Sequence, residues 1–270
     1  MTRTRCGVLG SPISHSLSPA MHRAAYRELG LDWEYQAIEI GAGGLEHFLA
    51  RCDDSWRGFS VTAPLKLEAA AAAQHKSDDV LKLSVANTLI RSAAGWKASN
   101  TDVPGATSAL HAVGINRVNT VRIYGAGATA ISMAYVASKL GATQLELRVR
   151  NRGTALETAA FAQSLGLNTE IAAITDEPAA SVDLVVTTVP APAVAGLEHS
   201  ITATANAVFD VVYDPWPTPV MVSAQHDGTP LVTGIDLLAH QAVLQLTAMT
   251  GETVSPDLLT KAALTELGSR

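Results

Sequence analysis

The chain is poor in cysteine, in charge and in aromatic rings. Only Cys6 and Cys52 occur in 270 residues, and neither has a Cys-x-x-Cys or Cys/His cluster beside it. That spacing gives no disulfide framework and no structural zinc site, so both are expected to be reduced, buried thiols. Charged residues make up 16%, the net charge is −6, and no basic run exceeds two residues, which argues against neutralising many phosphates along a nucleic acid. The most apolar stretches, 132–141 and 182–197, are interrupted by Lys139 or by Asp183, Pro190 and Pro192, well short of the roughly 18 residues that span a bilayer. The opening segment has too few apolar residues before Ser11-Pro12 for a signal-peptide core. A cytoplasmic protein with no membrane contact is expected. His15, His22 and His240 lack His-x-x-x-His spacing or an acidic cluster, so no metal is expected.

What is present is a 47% hydrophobic content, enough for a proper core. Apolar runs of strand length alternate with helical patterns almost throughout, the signature of an α/β fold with parallel sheets. Ser18-Pro19 reads as an N-cap and helix start, with Gly30 as the stop. Strands are expected at 32–40 and 58–62, and Pro64 restarts a helix that places Lys66 in its first turn. Two short strands, 86–91 and 96–99, flank a turn centred on residues 93 and 94. That register sets Asn87 opposite Asn100 and brings Asn87 and Asp102 to one end of the sheet, with Pro104 opening the next helix.

From 114 the period is regular: strand 120–124, helix 129–140, strand 144–149, helix 154–165, then strands at 183–188, 208–212 and 230–232. This predicts a complete dinucleotide-type domain over 104–235, followed by two helices from Ile235. Gly125-Ala126-Gly127-Ala128-Thr129-Ala130 follows a strand and opens a helix, matching the turn in which backbone N–H groups approach a pyrophosphate. The second strand ends Arg150-Asn151-Arg152 with no carboxylate. A ribose 2′-hydroxyl is usually held by Asp or Glu at that point, whereas a 2′-phosphate suits an arginine fork, so the expected cofactor is NADP(H) rather than NAD(H).

The first hundred residues carry polar groups that a fold does not require: Ser16, Ser18, Thr62, Lys66, Asn87 and Asp102. They lie in Gly10-Ser-Pro-Ile-Ser-His-Ser-Leu-Ser-Pro-Ala-Met-His22, Gly58-Phe-Ser-Val-Thr-Ala-Pro-Leu-Lys66, Ala86-Asn-Thr88 and Asn100-Thr-Asp102. With the glycine turn, Asp210-Val-Val-Tyr-Asp-Pro-Trp-Pro-Thr-Pro219 and Gly234-Ile-Asp-Leu-Leu-Ala-His-Gln241, this order resembles the shikimate dehydrogenases over nearly the whole chain. The resemblance implies an N-terminal α/β substrate domain, 1–103 with the C-terminal helices 236–270 returning to it. It also implies a Rossmann-like doubly wound parallel-sheet NADP domain and a cleft between the two. The implied reaction is reduction of 3-dehydroshikimate to shikimate by NADPH, a step of aromatic amino acid (chorismate) biosynthesis, in a monomer or homodimer.

Carried over by position, Lys66 and Asp102 would be catalytic at the reacting oxygen. Ser16 and Ser18 would hold the substrate carboxylate, and Thr62, Asn87 and Gln241 its hydroxyls. Tyr213 would lie near substrate and nicotinamide, and Thr188 and Gly234 would join residues 125–130 and 150–152 at the cofactor. Independently, hydroxyls and N–H groups at a helix N-terminus suit a small carboxylate, and an alcohol losing hydride must also lose a proton. A helix first turn and desolvation favour a neutral Lys66, Asp102 opposes them, and the pair should titrate as one unit. Lys66 is the expected general acid/base, the reverse assignment staying open.

Some positions depart from the family pattern: Ser60 stands where Asn is frequent, Arg23 where Asn is frequent, and Leu156 where Lys often holds the cofactor. The alternatives are a quinate or dual quinate/shikimate dehydrogenase and, in another class, a non-catalytic cofactor-binding regulator. Loss of Lys66 or Asp102 would have favoured the regulator, and both are present.

Overall fold

The computed structural model describes residues 3–269. It divides into two compact units, one running to Gly105 and resuming at Leu238, the other spanning Ala106–Leu237.

The first unit begins with β1 (Arg5–Gly10), α1 (Ser18–Glu28), β2 (Glu34–Glu39), α2 (Leu45–Ala50), β3 (Trp56–Val61), α3 (Lys66–Ala72), β4 (His75–Lys76), α4 (Asp78–Leu83), β5 (Thr88–Ser92), β6 (Gly95–Ser99) and the start of α5 (Asp102–Ala112). Its sheet has the order β2-β1-β3-β5-β6-β4. β1 is parallel to both neighbours, while β5 runs antiparallel to β3 and β6. The expected hairpin register holds, with Thr88 opposite Ser99 and Ser92 opposite Gly95. The C-terminal ends of β1, β3 and β6 and the N-terminal end of β5 therefore share one edge, where the loops bearing Ser16, Thr62, Lys66, Asn87 and Asp102 emerge. Phe59 anchors the core beneath, its ring 4.9 Å from Trp56 and 5.4 Å from Trp96. Burial of each such side chain contributes about 1.5–3 kcal/mol.

The second unit comprises β7 (Thr120–Tyr124), α6 (Ala128–Lys139), β8 (Gln144–Val149), α7 (Arg152–Ser164), β9 (Asn168–Ala173), β10 (Leu184–Thr187), α8 (Glu198–Ala203), β11 (Val208–Asp210), α9 (Pro219–Asp227), β12 (Leu231–Thr233) and the start of α10 (Gly234–Thr250). Its six strands are all parallel, in the order β12-β11-β10-β7-β8-β9. The chain winds outward from β7 in one direction and then, from β10, in the other. This is the doubly wound order of dinucleotide-binding sheets, with its switch point between β7 and β10. Residues of α10 from Leu238 and all of α11 (Pro256–Gly268) belong to the first unit, where α11 packs on α1.

Several local expectations need correction. Ser18 is not the N-cap of α1: that position is Leu17, and the Ser16 hydroxyl, two residues back, already accepts the Ser18 N–H at 3.3 Å. α3 begins at Lys66 rather than Pro64, because a turn from Thr62 to Leu65 intervenes. α5 opens at Asp102, ahead of Pro104, since the Asn100 side-chain oxygen accepts from the N–H groups of Asp102 and Val103 at 3.0 and 3.2 Å. α7 likewise opens at Arg152, capped by Asn151 through the Gly153 N–H at 2.9 Å. Cys6 is buried as expected and its thiol is pushed up to about 11 by desolvation, but Cys52 is only partly buried.

Candidate active site

At the shared edge of the first unit, Lys66 Nζ lies 2.5 Å from Asp102 Oδ2. The other Asp102 oxygen accepts from Asn87 Nδ2 at 2.7 Å. The same amide nitrogen faces Thr101 Oγ1 at 2.9 Å and Gln241 Oε1 at 3.1 Å. The structure thus brings Lys66, Asn87, Asp102 and Gln241 together from α3, the loop before β5, the start of α5, and α10. The Asn87 carbonyl oxygen of the side chain is fixed in turn by the Thr101 backbone N–H at 2.8 Å.

Such a cluster is not explained by stability. Burying an ammonium–carboxylate pair costs several kcal/mol per ion, and a well-packed hydrophobic pair is often as stable or more so. What the arrangement offers is chemistry: an amine held by a carboxylate whose second oxygen is already occupied, so that Nζ is aimed while keeping donors for another oxygen.

Ser16 and Ser18 stand at the N-terminus of α1, which has no acidic residue in its first turn, leaving its positive end for an anion. The Ser18 side chain is buried and its hydroxyl lies beside the Tyr35 phenol. Thr62 follows β3, its backbone N–H bonded to the Leu9 carbonyl at 2.9 Å, so it stands beside the end of β1.

In the second unit the glycine turn follows β7, at the switch point. Its two glycines have different reasons to be there. Gly125 has φ +119°, and a Cβ on it would overlap Thr188 Oγ1, whose hydroxyl is bonded to the Tyr124 carbonyl at 2.9 Å. Gly127 has φ −85°, which any residue adopts, and a Cβ on it would meet nothing within 4 Å. Folding gives no reason for glycine at 127, whereas close approach of a pyrophosphate does. Ala128, Thr129 and Ala130 form the first turn of α6, which has no acidic residue and no side-chain cap, so its N–H groups fit a phosphate. Thr158, from α7, anchors the turn by donating to the Ala126 carbonyl at 2.8 Å.

Arg150 is exposed at the end of β8, and Arg152 donates to the Ile171 carbonyl. Two exposed guanidinium groups with no carboxylate at this strand end fit a 2′-phosphate. Gly234 proves to be a packing glycine, since a Cβ there would overlap the Val211 carbonyl. Tyr213 is half-buried on the loop after β11. Within each unit, these residues gather at the strand ends. Sequence reasoning assigned no site role to Thr101, Gln245, Tyr35 and Thr158, and marked Ser60 only as a departure from the family pattern beside the cleft. Their hydroxyls and amides look like ordinary polar residues until the fold buries them.

Among the described residues no group of three or more His, Cys, Asp or Glu could hold a metal ion, and no helix is long and apolar enough to cross a membrane.

Residues 8–89 match the model of the shikimate dehydrogenase substrate binding domain. The chain is 34% identical over 269 residues to the shikimate dehydrogenase (NADP(+)) of Methanocella arvoryzae, covering 95% of this chain and 97% of that one. The crystal structure of Mycobacterium tuberculosis shikimate dehydrogenase superposes with a TM-score of 0.87 at 34% identity, over 97% of this chain and 99% of that one. The Thermus thermophilus enzyme, crystallised with NADP(H) and shikimate, gives 0.82 at 28% identity over 97% and 99%. Identity of 34% over 95% of the chain, together with the site cluster, leads to one assignment: the chain belongs to the shikimate dehydrogenase family.

Proposed function

We propose that the protein is an NADP-dependent shikimate dehydrogenase that reduces 3-dehydroshikimate to shikimate, reversibly, in aromatic amino acid biosynthesis. The observation that carries this reading is the Lys66–Asp102–Asn87–Gln241 cluster, in which a part-buried lysine meets three buried partners. Its support in kind comes from relatives named shikimate dehydrogenase (NADP(+)) and from a related enzyme crystallised with both NADP(H) and shikimate.

NADPH, which residues 125–130 and 150–152 would hold, would supply the hydride for the carbonyl carbon. Lys66 Nζ gives its proton to the carbonyl oxygen as that oxygen gains charge, and takes it back in the reverse direction. Asp102 holds Nζ and stabilises its cationic form, while Asn87, locked by Thr101, keeps the carboxylate from rotating. Asn87, Gln241 and Thr62 bind the ring hydroxyls, and Ser16 and Ser18 at the α1 N-terminus bind the carboxylate. Residues 125–130, with Thr188 behind Gly125, hold the pyrophosphate, Gly234 keeps the backbone close, and Arg150, Asn151 and Arg152 take the 2′-phosphate. Tyr213 borders the nicotinamide. The free thiols fit a reducing, cytoplasmic setting for a monomer or homodimer.

The test is spectrophotometric: shikimate or quinate crossed with NADP+ or NAD+, following the reduced nicotinamide. Shikimate with NADP+ is expected to give the highest kcat/KM. A higher value with quinate or with NAD+ would overturn the substrate or the cofactor assignment, and no turnover in any combination would overturn the reading.

A further inference from the structure

Behind the cluster runs an unbroken, one-directional chain of buried hydrogen bonds. The Tyr35 phenol donates to Ser60 Oγ at 2.6 Å, and Ser60 donates to Gln245 Oε1 at 2.7 Å. Gln245 Nε2 donates to Thr88 Oγ1 at 3.1 Å, and Thr88 donates to Asn87 Oδ1 at 2.9 Å. Asn87 Nδ2 then donates to Asp102 Oδ1 at 2.7 Å. Tyr35, Ser60, Gln245, Thr88 and Asn87 are each at most 4% exposed.

The direction is fixed at two points by the backbone. Gln245 Nε2 also donates to the Asn87 main-chain carbonyl at 3.0 Å, which can only accept, so Oε1 must face Ser60. Asn87 Oδ1 accepts the Thr101 N–H at 2.8 Å, which can only donate, so Nδ2 must face Asp102. Burial holds the Tyr35 phenol far above the ordinary tyrosine range, so it stays a donor. A chain in which every donor points the same way polarises each successive bond, by about 10–30% per bond, and this one ends on the carboxylate that holds Lys66.

We propose that Gln245 is a positioning residue which, as the central link from Tyr35 and Ser60, orients Asn87 and so fixes Asp102 against Lys66. Its hydrogen bonds run to Ser60, the Asn87 carbonyl and Thr88, so it acts on Asp102 through Asn87. Gln245 sits on α10 one turn beyond Gln241, so one helix face supplies both a direct member of the cluster and its support from behind. This rests on the proposed reaction for its kinetic arm only.

The experiment compares wild type with Gln245→Met, Ser60→Ala and the double variant, by steady-state kinetics with NADPH and 3-dehydroshikimate and by proton NMR of the Asn87 side-chain amide. Gln245→Met is expected to lower kcat about three- to tenfold, the effect of losing one such bond, with KM for NADPH unchanged. The Asn87 amide resonance should move upfield and exchange faster with solvent. Ser60→Ala should act in the same direction more weakly and add nothing to kcat loss in the Gln245→Met background, because the chain is already cut. An unchanged kcat and an unmoved Asn87 resonance in folded Gln245→Met, or full additivity of the two substitutions, would overturn the proposal. If Gln245→Met fails to fold, Tyr35→Phe at the head of the chain replaces it, with the same expected direction and the same overturning result. Absence of wild-type turnover would count against the reaction, whereas the NMR arm reads the chain without substrate.

Discussion

Lys66 and Asp102, 36 residues apart in sequence, close to 2.5 Å with side chains only 15% and 10% exposed. The contact is made by the fold rather than by neighbouring sequence. β3 delivers α3, the β5–β6 hairpin delivers Asp102, and Asn100 caps α5 so that Asp102 begins the helix facing inward. An ion pair placed this far from water has its value in the proton it can move.

Replacing Lys66 by Ala removes the only side-chain amine in the cluster while leaving the glycine turn untouched. Loss of a general acid/base lowers turnover by about a hundred- to ten-thousandfold. Steady-state assays should show that fall, and fluorescence titration should give NADPH affinity equal to wild type. Turnover within a few-fold of wild type would remove Lys66 from the proton-transfer role.

Arg150 stands exposed at the end of β8, while Arg152 is tethered to the Ile171 carbonyl. Arg150→Ala should therefore lower kcat/KM for NADPH about ten- to a hundredfold, the value of a charge-assisted contact, and leave kcat/KM for NADH unchanged. Equal losses with both cofactors would mean that Arg150 does not read the 2′-phosphate.

Much of this was legible in the sequence because short-range chemistry sets it. The hairpin turn after Ser92 fixes the β5–β6 register, and that register alone forces Asn87 and Asp102 to one end. The glycine turn and its following helix are likewise local. Other features depend on partners far along the chain. β9 pairs with β8 as a parallel edge strand, and its sequence Asn168-Thr-Glu-Ile-Ala-Ala173 carries too few apolar residues to announce itself. β1, the strand between β2 and β3, is a six-residue run interrupted by glycine. The Tyr35–Ser60–Gln245 chain joins β2, β3 and α10, and no spacing rule links three residues whose separations are 25 and 185. Ser18 misled in a different way: its type suits an N-cap, but the Leu17 carbonyl takes the Met21 N–H, so the helix starts one residue earlier.

His22 is fully buried, stacked on Tyr35 with ring centroids 4.0 Å apart, and neither ring nitrogen makes a hydrogen bond of good geometry. Desolvation lowers its pKa from 6.5 to about 3, and the nearby Gln245 side chain offsets only part of this. Because the native pKa is the lower one, the unfolded chain takes up a proton first. Stability contributed by neutral His22 is complete above pH 6.5 and drains away as the pH falls toward about 3. The limiting slope is about 1.4 kcal/mol per pH unit. Urea unfolding between about pH 7 and 5 should show a steeper decline for wild type than for His22→Leu. Parallel pH profiles would place a hydrogen bond or water on the ring that keeps its titration ordinary.

The two glycines of the nucleotide turn separate folding from binding. Gly125→Ala must hold a side chain at φ +119° and push Thr188 aside, a strain of about 1–3 kcal/mol before any overlap is counted. A lower Tm is therefore expected even without cofactor. Gly127→Ala places its methyl where no protein atom lies within 4 Å, on a backbone that alanine adopts freely, so Tm should equal or slightly exceed wild type. The same methyl stands where the pyrophosphate must approach the α6 N-terminus, so NADPH affinity should fall about tenfold or more, as when a contact to a charged group is lost. Shikimate binding, carried by the first unit, should be unaffected in the same variant by calorimetry. If Gly127→Ala binds NADPH as wild type does, the pyrophosphate does not lie over this turn, and the assignment of residues 125–130 to the cofactor fails while the fold that places them stands.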